Sequence, residues 1–177
     1  MRKVVAAEYL TLDGVMENPA WTSSYFNDEL GTLQHELMLA SDALLLGRVT
    51  YEGFAAAWPQ MRGEPGADHM NSIAKHVASH TLQTAEWNAQ IIAGDVAAAV
   101  ARLKQQPGQN LLIFGSGQLV QYLRRHQLID EYRLMVFPLV LGTGKRLFRE
   151  GGGPTDFKLV KTHTTSTGVV VLDYERA

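Results

Sequence analysis

Leu111-Leu112-Ile113-Phe114-Gly115-Ser116-Gly117-Gln118-Leu119-Val120 reads as an apolar strand, a small-residue turn and the start of a helix. Two glycines let the backbone turn sharply, and the amide N–H groups that open the following helix then point at whatever anion sits above them. A second junction of the same kind lies upstream. Ala43-Leu44-Leu45-Leu46 has the uninterrupted apolar character of a fully buried strand, and Gly47-Arg48-Val49-Thr50 turns it into a short helix that ends near Trp58-Pro59. Open α/β sheets place their ligands at such carboxyl ends. Arg48 adds a fixed positive charge and Thr50 a hydroxyl, a combination suited to a phosphate. The same residues also suit a plain turn at Gly47, a surface Arg48 and an N-cap at Thr50, and Ser116 can likewise cap its own helix.

Working outward, Val4 to Leu12 is a strand closed by the turn dipeptide Asp13-Gly14. Apolar residues at 26, 30, 33, 37 and 40 mark an amphipathic helix from about Ser24 to Ala40, with Thr22, Ser23 and Ser24 as candidate N-caps. After a loop over 59–65 come a short helix at 68–73, a strand at 76–78 and another at 91–92. Asp95 then caps a helix that stops before Pro107-Gly108. Beyond Arg125, Tyr132 to Leu141 reads as a long strand with a bulge or an edge position at Pro138, and 142–153 as a glycine-rich loop. Phe157–Thr165 and Val169–Tyr174 close the chain as an antiparallel hairpin turned at Thr167-Gly168. Strand–helix units followed by a hairpin imply one mixed sheet flanked by helices, in a single domain over 1–177.

Composition narrows the chemistry. The 177 residues contain no cysteine, so a disulfide framework, a thiolate metal site and a catalytic thiol are all excluded. A formal charge of -2 leaves no basic face for nucleic acid. The apolar run Val4–Ala7 is broken by Glu8 and is too short for a signal peptide, and nothing approaches a membrane span, so a cytoplasmic protein is expected. Other motifs fail on inspection: Leu39 stands where His35-Glu36 would need a second histidine, and Leu139 and Arg146 spoil a P-loop reading of Gly142-Thr143-Gly144-Lys145. Val120 occupies the third glycine position of a dinucleotide fingerprint, and His76 and His80 lie on a strand without a third ligand nearby. No metal site is expected.

Four segments together carry a family resemblance. Leu44 to Glu52 resembles the GR-x-T-x-E segment of the dihydrofolate reductase fold, and Asn110 to Val120 resembles its second cofactor loop. Thr11-Leu12-Asp13-Gly14 is similar to the S-L-D-G of the RibD C-terminal family. Leu128–Tyr132, followed by Phe137–Phe148, is similar to that family's L-I-D-E and P-V-x-L-G-x-G-x-x-L-F block. The resemblance implies a dihydrofolate reductase-like three-layer α/β/α fold, with a mixed, mostly parallel eight-stranded sheet and a C-terminal antiparallel hairpin. It also implies NADPH laid across the strand ends, with Gly47, Arg48 and Thr50 on the pyrophosphate side and Gly115, Ser116, Gly117 and Gln118 cradling phosphate and ribose. Ser79 and Thr81 fall where relatives recognise the 2′-phosphate.

The implied activity is hydride transfer from NADPH to a C=N or C=O carbon of a small molecule, related to 5-amino-6-(5-phosphoribosylamino)uracil reduction in riboflavin biosynthesis, by a stand-alone homodimer. The strand at 132–141 is the expected support for pairing. Asp13 is the candidate catalytic contact with substrate and equally suits an Asx turn. Asp28, Glu29 and Glu36 are the candidates on the long helix for a substrate-holding acid, though a solvated face suits each. Trp21 and Tyr25 can stack on a flat ring or cover the edge of the core. A nucleotide-binding regulatory or interaction protein without turnover is the alternative.

Overall fold

The computed structural model describes residues 1–151 and 153–177. Among them eight strands form one sheet: β1 (Val4–Leu10), β2 (Ser41–Gly47), β3 (Ala74–Ala78), β4 (Ala89–Ile92), β5 (Asn110–Phe114), β6 (Glu131–Val136), β7 (Phe157–Thr164) and β8 (Val170–Arg176). Their order is β4-β3-β2-β5-β1-β6-β8-β7. Neighbours from β4 to β6 pair in parallel, whereas β8 runs antiparallel between β6 and β7. Five helices complete the layers: α1 (Asp28–Leu39), α2 (Arg48–Ala57), α3 (Ala67–Ser72), α4 (Val96–Gln105) and α5 (Gly117–Arg125). This is the mixed, mostly parallel sheet with a C-terminal hairpin that the sequence implies.

The central strands are apolar on both faces because both faces are covered. Val5, Ala7, Leu44, Leu46 and Leu112 pack towards Leu30, Leu37 and Phe137. On the opposite face Val4, Ala6, Leu45, Leu111 and Ile113 meet Val100, Leu119, Val120 and Leu123. After β2 the chain moves outward to β3 and β4, then returns to insert β5 between β2 and β1. The connections leaving β2 and β5 therefore diverge, which opens a crevice between them at their carboxyl ends.

Three local expectations are corrected. The long helix starts at Asp28 and is capped by Asn27, whose side chain accepts from the Leu30 N–H at 3.0 Å. Residues 22–24 are unavailable as caps because Pro19–Thr22 forms its own 3₁₀ turn, with the Thr22 hydroxyl donating to Pro19 O at 2.7 Å. The strand expected over 132–141 ends at Val136. Phe137 N–H still donates to Leu10 O at 2.7 Å, but Pro138 has no N–H with which to continue the ladder. Finally, β6 is interior, flanked by β1 and β8, so it cannot pair with a second copy; the free edges are β4 and β7. The loop expected over 142–153 includes Gly152, which lies outside the described residues.

Lys75 on β3 is fully buried. Its ammonium donates to Ile73 O at 2.8 Å and Asn71 O at 3.3 Å and lies 3.9 Å from the centroid of the Trp87 ring. Burial lowers its pKa from 10.5 to about 8. The folded protein thus releases this proton before the unfolded chain does, and stability rises between those two values. Chemical denaturation of the wild type and Lys75→Met across pH 7 to 11 should show the wild type gaining on the variant above about pH 8. A pH-independent difference would contradict the lowered pKa of Lys75 in the folded protein.

Candidate functional site

A cleft of about 1910 Å³ opens over the carboxyl ends of β1, β2, β3 and β5, walled by α1 and α2. At its centre the two strand–glycine–helix junctions touch. Gly47 N–H donates to Ser116 Oγ at 3.0 Å, and Ser116 N–H donates to Thr50 Oγ1 at 3.0 Å. Thr50 and Ser116 therefore bind one junction to the other instead of capping their own helices; Gly47 and Ser116 hold the cap positions without a side-chain cap bond. The pair forms one platform from which α2 and α5 both present their first, unbonded N–H groups to the cleft.

Backbone geometry explains the small residues. Gly115 (φ +57) and Ser116 (φ 55) are consecutive left-handed residues, which reverse the chain abruptly between β5 and α5. A Cβ on Gly115 would stand 3.4 Å from the Thr50 side chain, and one on Gly117 would stand 2.6 Å from the Met16 sulfur. Met16, from the loop after β1, thus closes directly onto the turn. Two helix N-termini facing one space, with no Cβ at Gly115 or Gly117 to crowd it, fit the diphosphate of a dinucleotide.

The remaining cofactor candidates lie around this platform. Arg48 and Gln118 line the cleft and are exposed. The Arg48 guanidinium is held on the rim by Glu52, one turn along α2, at 2.8 and 3.0 Å. At the end of β3, Ser79 is buried and its hydroxyl accepts from the N–H groups of Thr81 and Leu82 at 3.2 and 3.0 Å, so it organises the turn that exposes Thr81 to the cleft.

Asp13 is placed elsewhere. It is absent from the described cleft lining. Its carboxylate accepts from Thr11 Oγ1 at 2.5 Å, Gly142 N at 2.9 Å and Leu141 N at 3.3 Å, while Arg146 Nε donates to its carbonyl at 2.8 Å. The Thr11 hydroxyl, then the backbone donors of 142 and 141, hold its pKa below the usual carboxylate range. Asp13 thereby clamps the loop after β1 to the loop after β6, which is the turn-forming role its sequence context also allows.

On α1, Glu29 is taken by Ser166 N and Oγ, both at 2.7 Å, while Asp28 and Glu36 are exposed on the rim. Trp21 and Tyr25 stand edge-on to Phe137, with centroids at 5.4 and 6.0 Å, and so cover the core. Among the polar residues that α1 and β1 bring to the cleft, Gln34 and Tyr9 join the two elements: the Gln34 amide donates to the Tyr9 hydroxyl at 2.7 Å.

Glu8 also lines the cleft, and the motif reading passed over it. It is 2% exposed, in a strand otherwise apolar between Val4 and Ala7. Burial pushes its carboxyl pKa well above the ordinary range, opposed by the Gly115 N–H. The available signal was the lone acid inside an apolar run; what it faces depends on β5, over a hundred residues away.

A sequence model of the family described as RibD C-terminal domain matches residues 2–171. The chain is 27% identical over 180 residues to the uncharacterized protein YyaP of Bacillus subtilis (strain 168), covering 98% of this chain and 94% of that protein. Its fold is similar to the crystal structure of a putative riboflavin biosynthesis protein from Shewanella sp. PV-4, with TM-score 0.80, 23% identity and 99% of each chain covered. A diaminohydroxyphosphoribosylaminopyrimidine deaminase/5-amino-6-(5-phosphoribosylamino)uracil reductase from Thermotoga maritima has TM-score 0.69 and 17% identity over 99% of this chain and 57% of its own. Among the described residues no helix is long and apolar enough to cross a membrane, and no cluster of metal-ligating side chains occurs.

Proposed function

Because the chain belongs to the RibD C-terminal domain family, we propose that it is an NADPH-dependent reductase acting on a small, flat heterocycle with a C=N or C=O bond. The observation that carries this reading is the joined platform of Gly47, Thr50, Gly115 and Ser116, which aims two helix N-termini into one cleft. When bound, NADPH supplies the hydride. Arg48 and the amides of 117–118 hold its phosphates, and Thr81 meets the adenosine end. From β3 through β2 and β5 to β1 is three strand spacings, roughly 14 Å, a span suited to an extended dinucleotide whose reactive ring reaches β1. Met16, Phe114 and Ala7 exclude water there, and Gln34 with Tyr9 orients the substrate. A cytoplasmic location and a homodimer using the β7 edge, where Leu159 and Val160 are exposed, belong to the same proposal.

Titrating the purified protein with NADPH while following nicotinamide fluorescence tests it. Saturable binding is expected, and Arg48→Ala should weaken it roughly 10- to 100-fold through loss of a charge-assisted phosphate contact. No binding of NADPH or NADH would overturn the reading. Oxidation of NADPH against a panel of pyrimidines, pterins and quinonoid compounds then separates a reductase from a nucleotide-binding regulator.

A further inference from the structure

A carboxylate as buried as Glu8 is strongly disfavoured without a cation, and no charged side chain contributes to its shifted pKa. Its Oε1 is buried without a hydrogen-bond partner among the described residues. The groups around it are neutral. From the turn after β5 it meets the Gly115 N–H; from β6, Tyr132 is a buried phenol whose hydroxyl has no partner among the described residues; on its own strand, the Tyr9 hydroxyl is held by Gln34. Charged groups from the neighbouring loops and α5 are engaged elsewhere: Lys145 with Glu17 at 3.0 Å, Arg146 with Asp13, and Arg124 with Gly153 O at 3.2 Å. Apart from the Gly115 N–H, no group among the described residues pairs with this acid.

It does stand at β1, where the proposed cofactor reading puts the ring end of the dinucleotide. Resting on that reading, we propose that Glu8 is the proton-carrying acid of the cleft: neutral beside the reduced nicotinamide, it gives its proton to the substrate heteroatom as hydride leaves the ring. The nicotinamide C–H bond breaks with its electron pair and a C–H bond forms on the substrate carbon. The substrate π pair becomes a lone pair on nitrogen or oxygen, which takes the Glu8 proton. The Glu8 carboxylate is left facing the oxidised, positively charged ring, an ion pair favoured in a dry site. Solvent returns the proton once the oxidised cofactor leaves.

Binding alone tests this. The affinities of the full chain for NADP+ and NADPH are measured from about pH 6 to 9, and their ratio is followed. Titrations common to both ligands, such as that of the 2′-phosphate, cancel in that ratio. For the wild type the ratio should move towards NADP+ with rising pH, by up to about tenfold per unit. Calorimetry in two buffers of different ionisation heat should count close to one proton released with NADP+ and none with NADPH. In Glu8→Gln the ratio should be flat, with NADPH affinity within about threefold of wild type. A flat ratio in the wild type, or the same slope in the variant, overturns the role. If the variant does not fold, the wild-type proton count decides. Failure of both nucleotides to bind removes the reductase reading and this proposal together, whereas binding with a flat ratio removes the Glu8 role alone.

Discussion

Gly115→Val is expected to abolish measurable NADPH binding while leaving a folded, less stable protein. At φ +57 any side chain is strained, and a β-branched one most of all. The left-handed conformation costs roughly 1–2 kcal/mol for a residue with a Cβ. The new Cβ would already stand 3.4 Å from Thr50, and the valine methyls reach farther. The turn must then move, and both bonds through Ser116 lie within it. Losing their alignment splays the two helix N-termini, so NADPH affinity should fall at least ~100-fold, about 2.7 kcal/mol. Fluorescence titration measures the first effect and a circular-dichroism melt the second. Gly115→Ala should lie between wild type and valine. A valine variant that binds NADPH within threefold of wild type would move the phosphate site away from this turn.

The largest loss of stability is expected from Phe137→Ala. Phe137 is fully buried, with the rings of Tyr9 and Trp21 at 5.4 Å and Tyr25 at 6.0 Å, all near edge-on. Truncation removes about 3–5 kcal/mol, because three rings braced on one centre cannot collapse into the space it leaves. For a chain of this length that corresponds to a fall in Tm of roughly 6–20 °C. Phe137→Leu should cost less than half as much. The two melts, read with intact NADPH titrations below the transition, distinguish a packing loss from a site loss; equal Tm values for alanine and wild type would deny Phe137 its central place.

How far each part was legible follows from the range of the interactions involved. The two glycine junctions are local patterns, each within about ten residues, and β2, α2, β5 and α5 appear where those patterns place them. Asp95 is likewise a local cap, accepting from Ala98 N–H at 2.9 Å. The start of α1 was misplaced because several serines and threonines compete as caps, and the 3₁₀ turn at Pro19 settles the competition. Strand β6 looked longer because apolar residues continue past Pro138, although its ladder with β1 closes at the Phe137 N–H bond to Leu10 O, next to the proline that has no N–H.

The sequence by itself determined the family, the alternation of strand and helix, and the two strand–glycine–helix junctions, because turn chemistry and apolar periodicity are properties of neighbours along the chain. Tertiary structure alone decided what those residues face. It turned Ser116 and Thr50 from caps into a bridge between junctions, spent Asp13, Glu29, Trp21 and Tyr25 on loop and core contacts, and enclosed Glu8 beside Gly115. The physical reason is that hydrogen-bond partners and desolvation depend on which distant strands become neighbours, here β1 inserted between β5 and β6.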